Sequence, residues 1–124
     1  MMKYRKYGKY GAVKTSIDGI NFDSGLEAAR YRVLKMLERV KDISDLELQP
    51  KFELAGSYKY KGKTVRAINY IADFKYKRDG KIIVEDVKGM RTQAYILKSK
   101  MFIKKYIIDE KKVDEFVEIK RGDF

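Results

Sequence analysis

Cysteine and histidine are both absent from this 124-residue chain. Together the two absences exclude disulfides, thiolate metal sites, cysteine nucleophiles, and imidazole ligands or bases. Any metal must then be held by oxygen, a ligand set that suits magnesium, manganese or calcium and disfavours zinc or copper. Long apolar runs are missing as well, since no stretch approaches the roughly 20 residues of a membrane-spanning helix. None joins a basic start, an apolar core and a small-residue cleavage site in the manner of a secretory signal. A soluble cytoplasmic protein with no membrane partner is expected. Catalysis, if present, falls to carboxylates, lysines, tyrosines or a metal-bound water.

What the chain does have is positive charge. Lys and Arg number 29 against 18 Asp and Glu, a formal net charge of +11. Such an excess points to a polyanion, nucleic acid first, because each neutralised phosphate releases a counterion. The length fits one compact domain, and 44% hydrophobic residues supply its core. Residues 1–14 show no apolar periodicity and set tyrosines between basic residues. This segment reads as a flexible arm in which Lys3, Arg5, Lys6 and Lys9 meet phosphates and Tyr4, Tyr7 and Tyr10 stack on bases. A solvated basic terminus is the equal alternative. Residues 15–124 form the domain.

Within it, Asp18-Gly19 marks a turn between Thr15-Ser16-Ile17 and Ile20-Asn21-Phe22. A helix is predicted from Ser24 to about Lys41, with Leu26, Ala29, Val33, Leu37 and Val40 at helical spacing. Leu46 to Leu54 reads as a strand, with Pro50 at an edge or bulge. Val65 to Tyr76 and Lys81 to Lys88 read as strands joined at Asp79-Gly80. A second helix spans about Gln93 to Ile107, gathering Tyr95, Phe102, Ile103 and Tyr106 on one face with Lys98 and Lys105 beside it. Glu115 to Lys120 makes a last strand. An α/β arrangement follows, in the order helix, three strands, helix, strand.

If Asp79-Gly80 is a two-residue hairpin loop, Arg78 pairs with Lys81, and counting outward brings Asp73 opposite Asp86. Carboxylates so placed repel unless a cation compensates. Side chains alternate along a strand, so Lys88 shares the face of Asp86 while Glu85 takes the other. Two acids, a divalent metal and a fixed ammonium are the parts that phosphodiester hydrolysis requires. A solvated strand face carrying D-x-K by chance is the competing reading, and a longer loop would shift the register. Glu27 fits the capping box Ser24-Gly25-Leu26-Glu27. Gln49 is a weak polar candidate.

At Asp73, Asp86-Val87-Lys88 and Glu27 the chain resembles the PD-(D/E)XK nuclease superfamily. The stretches FDSGLEAARY, DLELQPKFEL, YIADF and VEDVKGMRTQAYILKSKMF look like a family of small phage and prophage proteins assigned to it, linked to Holliday-junction resolvase-like activity. The resemblance implies a restriction-endonuclease-like αβββαβ core with a mixed central sheet flanked by helices. It also implies a Mg2+ (or Mn2+) site formed by Glu27, Asp73, Asp86 and the carbonyl of Val87, with Lys88 as the catalytic lysine. Ala72 stands where the superfamily pattern has proline. The expected function is a metal-dependent DNA endonuclease acting on branched DNA in a bacterial or phage-infected cell. Arg91 and Lys98 would add phosphate contacts, and a homodimer would suit paired cuts. The alternatives are a nicking or restriction-type nuclease on ordinary duplex and a non-catalytic DNA-binding recombination accessory protein.

Overall fold

The computed structural model describes residues 14–88 and 90–124. The expected arm contacts Lys3, Arg5, Lys6 and Lys9, with Tyr4, Tyr7 and Tyr10, lie outside the described residues.

A small hairpin comes first, β1 (Thr15–Ile17) with β2 (Ile20–Phe22). Helix α1 (Gly25–Arg39) follows. Its start is set by Ser24, which has extended backbone and whose side-chain oxygen accepts from Glu27 N–H at 3.1 Å. Strands β3 (Ser44–Leu48) and β4 (Lys51–Ala55) lead to a second hairpin, β5 (Tyr58–Tyr60) with β6 (Lys63–Val65). The chain returns through β7 (Ile68–Ile71) and β8 (Phe74–Arg78), turns into β9 (Lys81–Val87), and enters α2 (Gln93–Phe102). α2 continues as a π-helical segment, Ile103–Asp109, before β10 (Glu115–Ile119).

The central sheet runs β10-β9-β8-β3 and is mixed: β10 lies parallel to β9, and the other neighbours are antiparallel. This is the α/β architecture with two helices that the residue pattern predicts, and its sheet is mixed. One apolar cluster gathers Phe22, Ala28, Tyr31, Leu34, Phe74, Tyr76, Ile83 and Val87 on the α1 face. The other gathers Phe52, Leu54, Tyr70, Ala72, Val84, Tyr95 and Phe102 on the α2 face. The alternating apolar residues of β9 therefore divide between two cores, as a strand covered on both faces requires.

Several boundaries differ from expectation. The predicted strand Leu46–Leu54 is broken between β3 and β4, because Gln49 adopts φ 50° and Pro50 has no amide to donate. The predicted strand Val65–Tyr76 is likewise divided into β6, β7 and β8. Pairing nevertheless spans the break, with Gln49 N–H donating to Asp73 O at 2.9 Å and Ala72 N–H to Pro50 O at 3.1 Å. The break reverses the alternation: Tyr70 and Ala72 face the α2 core, whereas Phe74 and Tyr76 face the α1 core. Asp73 sits at the reversal.

In α1 the buried row is centred on Ala28, Tyr31 and Leu34, one position round from the stripe anticipated, and Val40 is exposed. Neighbouring apolar stripes on one helix differ by only about 100° per residue, so packing decides among them. α2 was expected to stay regular to Ile107 but widens to π geometry after Phe102.

Candidate active site

Asp79 (φ 52°) and Gly80 (φ 77°) both occupy left-handed backbone, the signature of a two-residue type I′ turn. The pairing that follows runs from Arg78↔Lys81 to Phe74↔Glu85. Beyond its end Asp73 leaves the ladder register but comes close enough to Asp86 for their charges to interact. Asp73 N–H donates to Glu85 O at 3.1 Å, and its carboxylate Oδ2 accepts from Val87 N–H at 2.7 Å. A strand that has just reversed its face thus points its acid at the end of β9.

Asp86 is 1% exposed. The Tyr70 hydroxyl donates to its Oδ2. Oδ1 accepts no hydrogen bond of good geometry among the described residues, although the Lys88 ammonium lies 2.8 Å away and pairs with it by charge. We read the contact as an ion pair whose angles leave the lone pairs of Oδ1 unsaturated. Lys88 also lies 4.4 Å from the centre of the Tyr95 ring, where the π face favours a cation. Its side chain keeps 26% of its exposure, so the ammonium reaches both the buried acid and solvent.

Glu27 is half-buried in the first turn of α1. Burial, chiefly, and the neighbouring charge of Asp23 push its pKa up to about 7, against the opposing pull of Lys88; Asp86 adds further repulsion. Burial also holds Asp73 well above the usual carboxylate range, followed by the charges of Asp86 and Glu27 and opposed by the Val87 amide. Glu27, Asp73, Asp86 and Lys88 are thus one electrostatic unit, although they come from α1, the β7–β8 junction and the end of β9. Capping and membership of this unit are compatible for Glu27, because its backbone amide donates to Ser24 while the carboxylate, though also hydrogen-bonded to Ser24, still feels the charges of Asp86 and Lys88.

The remaining expectations fare variously. Arg91 approaches Glu118, with Nε 3.4 Å from Oε2. Lys98 is half-buried on α2, nearly one turn past Tyr95. Gln49 lies beside Asp73 through its backbone, and its side chain is exposed. Glu85 turns to the opposite face, where Arg30 grips both carboxylate oxygens at 2.8 and 2.6 Å and the Tyr76 hydroxyl donates to one of them.

Three site residues escaped the sequence reading. Tyr70 orients Asp86, Tyr95 lies against Lys88, and Glu118, paired with Asp86 across β9 and β10, accepts the Tyr95 hydroxyl at 2.6 Å. Tyr95 and Tyr70 present themselves in the sequence as core aromatics, and no local spacing joins Glu118 to a strand some thirty residues earlier.

As placed, no three acidic side chains among the described residues form a ready ligand cluster. The donors nevertheless fit a hard cation. They are all oxygen, one of them is a buried acceptor lacking a hydrogen bond, and magnesium commonly uses only one or two carboxylates and keeps several waters.

Residues 7–118 match the family described as protein of unknown function (DUF1064), and the chain belongs to that family. No curated protein matches the chain.

Proposed function

We propose that the protein is a Mg2+- or Mn2+-dependent DNA endonuclease of the PD-(D/E)XK type. The observation that carries this reading is the approach of Asp73 to Asp86 beside Lys88, with Asp86 Oδ1 buried and short of a donor among the described residues. Asp73 and Asp86 would hold the metal, with Glu27 and the Val87 carbonyl completing the protein's share. When bound, such an ion supplies a Lewis acid for a phosphoryl oxygen and lowers the pKa of a water.

The chain's own groups do the rest. Tyr70 fixes the carboxylate plane of Asp86. Lys88, cradled by Tyr95, places a positive charge where an attacking water is oriented or where charge grows on the phosphate in the transition state. Arg91 and Lys98 would serve as phosphate contacts, and the formal charge of +11 would supply attraction to the backbone. Branched DNA as substrate, and a homodimer that makes paired cuts, rest on the superfamily resemblance.

The test is cleavage of labelled four-way junction, linear duplex and single-stranded DNA with magnesium, manganese or chelator, using wild type, Asp86→Asn and Lys88→Ala. Metal-dependent cutting lost in both variants is expected, with the junction cut best. That no preassembled acidic trio is found among the described residues favours one other reading, a DNA-binding accessory protein. Undiminished binding with no cutting under any metal would select it.

A further inference from the structure

We infer that the hairpin β5–β6 is a duplex-DNA contact, a positively charged β-ribbon that enters the major groove away from the site of cutting. The inference rests on the reading of DNA as the partner but not on catalysis.

The segment Gly56 to Ala67 reads GSYKYKGKTVRA, with Lys59, Lys61, Lys63 and Arg66 and no acid. All of β5 is exposed, and β6 is exposed except for half-buried Val65. Tyr58 and Tyr60 are 54% and 62% exposed. A two-stranded hairpin packed on nothing is marginal in water, and two aromatic rings left in solvent contribute little to holding it. Such a ribbon has no structural task in the core, whereas its composition matches a polyanion.

Its turn points the same way. Asp18-Gly19, Lys61-Gly62 and Asp79-Gly80 all place both residues at positive φ. Type I′ turns favour Asn, Asp or Gly at the first position, and two of these three turns use Asp. At the ribbon tip stands Lys61, a poorer residue for the backbone but one that brings an ammonium to the outermost point, 5.5 Å from the Tyr60 ring centre.

The ribbon is also aimed and anchored. After a register shift between Glu53 and Ala55, Ala55 pairs with Ile68 and Tyr58 with Val65, so from Ala55 outward both strands advance equally into β5–β6. Phe52 at its base packs on Phe102 and Tyr106, at 4.6 and 5.1 Å between ring centres. The Tyr106 hydroxyl and Lys105 ammonium bond Glu53 O at 2.9 and 3.1 Å. From Asp73 at the root to Gly62 at the tip, a rise of about 3.3 Å per residue gives a contour of up to about 36 Å, close to one turn of B-DNA at about 34–36 Å. The major groove accommodates a two-stranded ribbon. Lys61 at the tip and Lys63, which shares a face with Tyr58 and Tyr60, then meet phosphates while the two tyrosines lie against sugars and base edges; Lys59 stands on the other face with Thr64.

The experiment measures binding of the full chain to a labelled 30-base-pair duplex, in chelator, over a range of KCl concentrations. Lys59→Gln/Lys61→Gln/Lys63→Gln is compared with Lys77→Gln/Lys81→Gln/Lys112→Gln, a charge-matched set at the end of the sheet remote from Asp86, and with Tyr58→Ser/Tyr60→Ser. Thermal melts establish that each variant folds. At about 0.9 per lost phosphate contact, loss of the Lys61 and Lys63 contacts in the hairpin lysine variant should flatten the slope of log K against log salt by about 1.8. Its affinity should fall at least about tenfold at moderate salt while the control keeps its slope. The tyrosine variant should weaken binding with the slope unchanged. Equal losses in the two lysine variants, or a wild type with no duplex affinity, would overturn the proposal. So would hairpin substitutions that weaken binding to phosphatidylserine vesicles but not to duplex. Cleavage is not read here: failed cutting with a flattened slope defeats only the nuclease reading, and cutting with an unaltered slope defeats only the ribbon.

Discussion

Tyr70 donates its hydroxyl to Oδ2 of Asp86 while Lys88 stands 2.8 Å from Oδ1, so the two oxygens of one buried carboxylate have different partners. Tyr70→Phe removes the neutral donor and leaves Oδ2 desolvated. A loss of about 1–3 kcal/mol in urea unfolding is expected. If Asp86 ligates a metal, a calcium titration followed by thermal melting should also show weaker binding, because the carboxylate is free to rotate. Unchanged stability and unchanged calcium response would remove Tyr70 from the site.

Asp73→Asn keeps an oxygen able to accept from Val87 N–H but removes a charge facing Asp86 and Glu27. The metal-free variant should melt at or above the wild-type temperature at pH 8. It should lose cleavage and retain or tighten DNA binding, since one negative charge near phosphate is gone. Saturating metal, at about one hundred times its Kd, stabilises a folded protein by about 2.7 kcal/mol, and most of that response should vanish in this variant. A magnesium-dependent melt identical to wild type would refute the assignment.

Stability of the metal-free protein should fall as pH rises. Folded Glu27 keeps its proton to about pH 7, whereas an unfolded glutamate releases it near about 4.3. Between those values the unfolded chain binds fewer protons, so the free energy of unfolding declines with pH, and the loss is complete above the folded value. Asp73, raised in the same direction, adds to the slope. Urea midpoints from pH 5 to 8.5 should show the decline in wild type and a shallower one in Glu27→Gln. Divalent cation should restore more stability at pH 8 than at pH 6.

On the other face of β9, Arg30 and Glu85 form a buried pair whose side chains keep 9% and 1% of their exposure. Arg30→Met leaves Glu85 with only Tyr76 for company and should cost about 3–5 kcal/mol. Arg30→Met/Glu85→Leu should recover much of that loss. Denaturant unfolding of the three proteins measures the coupling. Additive losses would mean that the pair is not the unit described.

Much of the site's core was legible because the turn chemistry is local. Asp79-Gly80 announces a two-residue loop, and a loop of known length sets the register from Arg78↔Lys81 to Phe74↔Glu85, which aims the chain at Asp86 with Lys88 one alternation beyond. Ser24 likewise marks the start of α1. Less legible was anything that depends on which face wins. The buried row of α1 is centred on Ala28, Tyr31 and Leu34, with Leu26 and Leu37 of the expected stripe packed at its edge, and Arg30, written into that helix as one more charge, is buried against Glu85.

The sequence by itself determined the chemistry available: oxygen ligands only, strong positive charge, the order of helices and strands, and the register of the β8–β9 hairpin. These follow from composition and from interactions between residues close along the chain. The tertiary structure alone decided that the ribbon reverses its faces at Asp73, that Tyr70, Tyr95 and Glu118 close around Asp86 and Lys88, and that β5–β6 stands out in solvent. Each of these depends on surfaces contributed by elements distant in sequence, and the free energy of burying one face over another is set only when those surfaces meet.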